Sequence, residues 1–99
     1  MQFLVVMRLK PDTDKAKLIA LARPEAAKTW ELMASGVLRS IHLIKGPAGA
    51  VLLFEADDEK QVEAQVGQLP LVQAGAVTFE ILSLVPFTAW ELLFASHQT

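Results

Sequence analysis

The 99 residues contain no cysteine, which excludes a disulfide framework, a thiolate metal site and a thiol nucleophile. A reducing setting, the cytoplasm, is the expectation. Metal-ligand spacing is missing too: His42 and His97 stand far apart and no His-x-x-x-His pair occurs, so no metal is expected. No Gly-x-Gly-x-x-Gly or Gly-x-x-x-x-Gly-Lys loop is present to cradle phosphates, and no cofactor is expected. No apolar run reaches the roughly 18 to 20 residues that cross a bilayer. The nearest candidate, Ile81 to Phe94, is broken by Pro86 and Glu91. The apolar start, Met1 to Arg8, lacks a basic region ahead and a small-residue cleavage site behind, and is expected to be a strand. Charge of one sign is also scarce. Nine basic and 11 acidic residues are scattered without a block, which argues against nucleic acid as a partner.

What the chain does have is apolar surface. Hydrophobic residues make up 53% and charged residues 20%, a high ratio for a chain too short to build a large core, so self-association is expected. Gln2 to Leu9 is apolar on both faces and predicts a first, central strand ending at Lys10-Pro11-Asp12. From Asp12 or Thr13 to Ser35, Ile19, Ala22, Ala26, Trp30 and Met33 follow helical steps, and Gly36 is placed to end the helix. Pro24 predicts a kink, or two helices joined near Arg23. Val37 to Ile44 and Ala50 to Glu55 predict a hairpin around Lys45-Gly46-Pro47-Ala48-Gly49.

Asp57 or Asp58 is placed to cap a second helix, with Asp58 and Gln61 at capping-box spacing and Val62, Val66 and Leu69 as its apolar stripe. Pro70 is expected to stop it, and Ala76 to Val85 forms the fourth strand. The order strand, helix, strand, strand, helix, strand predicts an α+β, ferredoxin-like βαββαβ domain over residues 1–86, with a four-stranded antiparallel sheet and both helices on one face. The other face presents Leu4, Val6, Leu82 and Leu84, which predicts that two sheets pack face to face. Residues 87–99 form an apolar tail whose Phe87, Trp90, Leu93 and Phe94 suit docking on a neighbouring subunit.

Three polar side chains stand out against these apolar rows. Glu25 falls beside Leu18, Leu21 and Leu32 on a continuous helix, where a desolvated carboxylate suits general-base chemistry next to a carbonyl. If Pro24 turns it outward, it is a solvated acid at a helix start. Arg39 shares strand alternation with Val37, Ile41 and Leu43, and a guanidinium there either forks onto a substrate carboxylate or forms a structural ion pair with Glu25 or Glu55. His42 alternates with Leu38, Ser40 and Ile44 and reads as an interface residue or a substrate contact. Trp30, on the helical stripe, is a further candidate substrate contact, and His97 sits in the tail.

Glu25 in the first helix, Gly36 followed by Arg39, Gly46 in the hairpin turn and Leu69-Pro70-Leu71 before the last strand resemble the muconolactone isomerase family. That resemblance implies a dimeric α+β barrel fold and a pocket between helix and sheet. It also implies an oligomer whose tail crosses to a neighbour, and proton transfer with Glu25 and Arg39 as catalytic residues. The chain departs from the family at Leu4, Val6 and Leu38, where the relatives carry polar or aromatic residues, and at Val85-Pro86-Phe87-Thr88. Two functions follow as expectations: a small-molecule isomerase or lyase, or a non-catalytic oligomeric module that binds a small metabolite, apolar or carboxylate-bearing, or serves as an interaction protein. Cofactorless oxidation is a third, by analogy of fold alone.

Overall fold

Alternating apolar residues pair into four strands, β1 (Gln2–Leu9), β2 (Leu38–Leu43), β3 (Gly49–Glu55) and β4 (Val77–Leu84). The computed structural model describes residues 1–95, and His97 lies outside them. The strands form one antiparallel sheet of order β2-β3-β1-β4, with β1 in the interior as its two apolar faces require. Helices α1 (Lys15–Ala34) and α2 (Glu59–Val66) both pack on the face that carries Phe3, Val5 and Met7. The fold is the expected ferredoxin-like α+β arrangement.

The first helix begins where Asp14 Oδ1 accepts from the Ala16 N–H at 3.0 Å and ends before Gly36, whose φ of +82° suits a residue without Cβ. It is one helix of 20 residues that runs through Pro24, so of the two alternatives the proline predicted, a kink or two joined helices, the split does not occur. Pro24 and Ala20 are both exposed, so the carbonyl that loses its intrahelical donor is open to water. Pro70 is a second correction. Helix α2 already stops at Val66, and Pro70 opens a separate short helix, α3 (Pro70–Gln73), at the position where a missing N–H costs least. The cap on α2 is as spaced: Asp58 Oδ1 accepts from the Gln61 N–H at 2.9 Å, while Gln61 Oε1 accepts from the Asp57 N–H at 3.0 Å.

Strand β2 differs from simple alternation. Leu38 pairs with Phe54 and Ser40 with Leu53, so a bulge at Arg39 sets two residues of β2 against one of β3. Beyond the bulge Ile41 and Leu43 face the helices, opposite Leu52 and Ala50. Leu38 is therefore in the core, 1% exposed, with Phe54 and Leu52, and does not share a face with Ser40 and His42 as alternation predicted. The slip has a clear driving force, since it keeps both Leu38 and Ile41 on the apolar side.

The opposite face of the sheet has no helix on it among the described residues. By register it carries Leu4 and Val6 of β1, Val51 and Leu53 of β3, and Leu82 and Leu84 of β4, with Leu82 41% exposed. Past β4, a 3₁₀ turn (Thr88–Trp90) and a short helix α4 (Glu91–Phe94) continue as an arm. Phe87 and Trp90 stack edge to face at 5.0 Å, yet both stay 64% exposed. The arm makes the molecule 66 Å long, with a radius of gyration of 17.1 Å against about 13 Å for a compact chain of this size. No helix among the described residues is long and apolar enough to cross a membrane.

Candidate active site

Small residues on three elements leave a gap between α1 and the sheet. Ala22 on the helix faces Gly49 and Ala50 of β3 and Ala48 of the turn before it, and larger side chains, among them Met7, Leu18 and Leu71, close the sides. The cavity has a volume of about 280 Å³. Gly49 is required by close approach: a Cβ there would lie 2.6 Å from the Met7 carbonyl oxygen. Leu43, 85% exposed, stands at the rim.

Glu25 is the one polar side chain in this lining. Its Oε1 accepts from the Leu71 N–H at 3.0 Å. Leu71 is in the first turn of α3, whose Leu69 cap position supplies no side-chain bond, so Glu25 caps one helix from another. Burial of the half-exposed carboxyl raises its pKa above the ordinary glutamate range, and the Leu71 N–H offsets part of that rise. A carboxylate held by one oxygen, with the other free and apolar walls around it, is equipped to take a proton from a bound molecule.

Other hollows are larger but hold no comparable group. One of about 590 Å³ is formed by the arm folding on itself, and one of about 580 Å³ lies at the far end of the sheet beside Met1 and Glu55. Glu55 there is engaged by the Met1 amine at 2.7 Å, and this hydrogen bond, with the charges of the amine and Arg39, lowers its pKa. Among the described residues no cluster of ligating side chains suits a metal ion.

The profile of the muconolactone delta-isomerase family matches residues 1–89. The chain belongs to the muconolactone delta-isomerase family. The crystal structure of muconolactone isomerase superposes with a TM-score of 0.75 at 25% identity, covering 90% of this chain and 93% of that one. The 5-chloro-2-hydroxyhydroquinone dehydrochlorinase TftG from Burkholderia phenoliruptrix AC1100, solved with 2,5-dihydroxybenzoquinone, gives a TM-score of 0.73 at 19% identity, over 86% of this chain and 94% of that one, and is alike in fold. No curated protein sequence matches significantly.

Within this family member the motifs that carried the resemblance meet in pairs. Glu25 is bonded to Leu71 of the Leu69-Pro70-Leu71 segment, and Arg39 Nε donates to the Gly36 carbonyl at 2.8 Å. The two pairs are not brought together. Arg39 lies at the level of Phe54 and Leu53, whereas the pocket lies at Ala50, three to four ladder positions away or roughly 10–13 Å. Trp30 is 72% exposed on α1, and neither it nor His42 lines the cavity. His42 pairs with Val51 on the sheet face away from the helices. Of the four sequence candidates, Glu25 alone lines the pocket of its own chain. Sequence reasoning missed the Leu71 N–H and the small residues at Ala22 and Ala48 to Ala50, whose only signal was side-chain size.

Proposed function

We propose that the protein is a small-molecule isomerase or lyase in which Glu25 is the general base for proton transfer next to a carbonyl. The observation that carries this reading is the half-buried carboxylate in an otherwise apolar cavity. Leu71 N–H holds Oε1, so Oε2 receives the proton from the carbon alpha to the carbonyl and the electron pair moves into the enolate. Returning the same proton to a conjugated carbon moves a double bond with no net proton change. Expelling a beta leaving group instead makes the reaction an elimination. An apolar pocket with no carboxylate would have favoured the non-catalytic binding module. Assay of muconolactone-like lactones with the purified protein, and with Glu25→Gln, tests the reading; equal rates in the two proteins remove Glu25 from the mechanism.

The same reading includes self-association, with two sheets meeting through the Leu4, Val6, Leu82 and Leu84 face and the arm docking on a neighbour. Exposed Phe87, Trp90, Leu93 and Phe94, 64–83% accessible in the single chain, support it. Truncation after Pro86 is expected to reduce both the mass seen by light scattering and the melting temperature. Unchanged values for both would show that the arm has no docking role.

A further inference from the structure

The open face of the sheet carries polar groups at the ends of its apolar rows. Across the ladders from β2 to β4, one row runs His42, Val51, Val6, Glu80, and the row beside it runs Ser40, Leu53, Leu4, Leu82. The four middle positions are apolar. A histidine thus closes one row at the β2 edge and a glutamate closes the same row at the β4 edge, three strand spacings or about 14 Å away. That is too far to pair within the chain. Both side chains are exposed, and the ion pairs among the described residues are Met1–Glu55 and Lys28–Glu31, so neither has a charged partner there. By register two further charged side chains share the face. Arg8 lies one row beyond, between Gly49 and Thr78, and Glu55 is held by the Met1 amine at the far end.

We propose that two copies of this chain stack their open faces about a two-fold axis parallel to the strands, so that His42 of each copy pairs with the partner's Glu80. The inference rests on the sheet-to-sheet reading above and fixes the orientation that reading leaves open. An axis along the strands, centred between β3 and β1, lays β2 on the partner's β4 and β3 on the partner's β1 while keeping each row opposite itself. Val51 then meets the partner's Val6, Leu53 meets the partner's Leu4, and the row ends bring imidazole and carboxylate together twice in each dimer. Arg8 meets the partner's Gly49, which has no side chain to obstruct it. Stacked sheets lie about 10 Å apart, a gap that a histidine and a glutamate reaching from opposite sides close. An axis across the strands instead exchanges the two rows, and sets Glu80 on the partner's Leu82 and His42 on the partner's Ser40. Apolar residues still meet apolar ones in that arrangement, but each Glu80 carboxylate is desolvated with no cation opposite it, at a high cost. Charge complementarity selects the orientation where hydrophobic burial does not.

Charge exchange tests the pairing, with the full chain followed by sedimentation at neutral pH and low salt. His42→Glu sets carboxylate against carboxylate at both ends of the interface and is expected to raise the dimer dissociation constant at least about tenfold. Glu80→Lys, which sets an ammonium against the partner's imidazole, should raise it as well. Combined in one chain, the two changes restore opposite charges only between copies, because the positions are too far apart within a chain. The dissociation constant should then return to within about threefold of the parent value. Both positions are exposed, so all three variants should fold, and their circular dichroism spectra check this. A double variant as weak as His42→Glu alone overturns the pairing and leaves the contact through Leu4 and Val6 standing. An unchanged constant in His42→Glu does the same. A parent chain that stays monomeric overturns both the pairing and the sheet-to-sheet reading.

Discussion

Glu25→Gln is expected to lower turnover by about 10²- to 10⁴-fold, the usual contribution of a positioned general base. The amide is nearly isosteric and its oxygen can still accept from the Leu71 N–H, so the cap on α3 and the shape of the cavity are kept. Loss of the proton acceptor is the main change. Its stability effect should have the opposite direction. Burial raises the pKa of Glu25 in the folded chain, so the folded state holds its proton to higher pH than the unfolded state does. Glu25 therefore costs stability as pH rises from the ordinary glutamate range through the raised value, and that cost is absent at lower pH. At neutral pH the glutamine variant should melt higher than the parent, with the gap closing on acidification. A variant both less active and more stable marks a side chain kept for chemistry. The parent's kcat/KM should rise with pH through the same raised pKa and then level off.

Leu4→Glu combined with Val6→Glu should dissociate the proposed sheet-to-sheet assembly. Both side chains are on the sheet face away from the helices, and two-fold packing would bury both new carboxylates of each protomer. An unpaired buried charge typically costs about 3–5 kcal/mol, so the dissociation constant should rise by at least about 10³-fold. Sedimentation would show the smaller species. The helix-side core of Phe3, Val5, Met7, Leu52 and Phe54 is untouched, so far-UV circular dichroism should remain that of an α+β domain. A species of unchanged mass would mean that this face is not the contact.

The element order was legible because strand and helix periods alternate cleanly, and because Asp58 with Gln61 and Gly36 mark helix ends by local chemistry. Glu25 was legible for the same reason: with Leu18 seven residues before it, it falls on the helix stripe facing the sheet. The bulge at Arg39 was not legible. Strict alternation puts Leu38 beside His42, and only the need to bury both Leu38 and Ile41 against β3 inserts the extra residue. Pro24 left a kink and a split both open because its penalty depends on whether the freed carbonyl reaches water, which the helix's orientation decides. The cavity itself was hidden, since Ala22, Ala48, Gly49 and Ala50 are unremarkable until the fold sets them opposite one another.

Titration of the Glu25 side-chain carboxyl by carbon-detected NMR, in protein labelled at glutamate and assigned with Glu25→Gln, tests the central claim most directly. A desolvated base in an apolar pocket titrates above the ordinary glutamate range, and the Leu71 amide shift should follow the same midpoint because Oε1 is its acceptor. A midpoint at or below that range would mean that Glu25 is a solvated helix cap, and would contradict its assignment as the base.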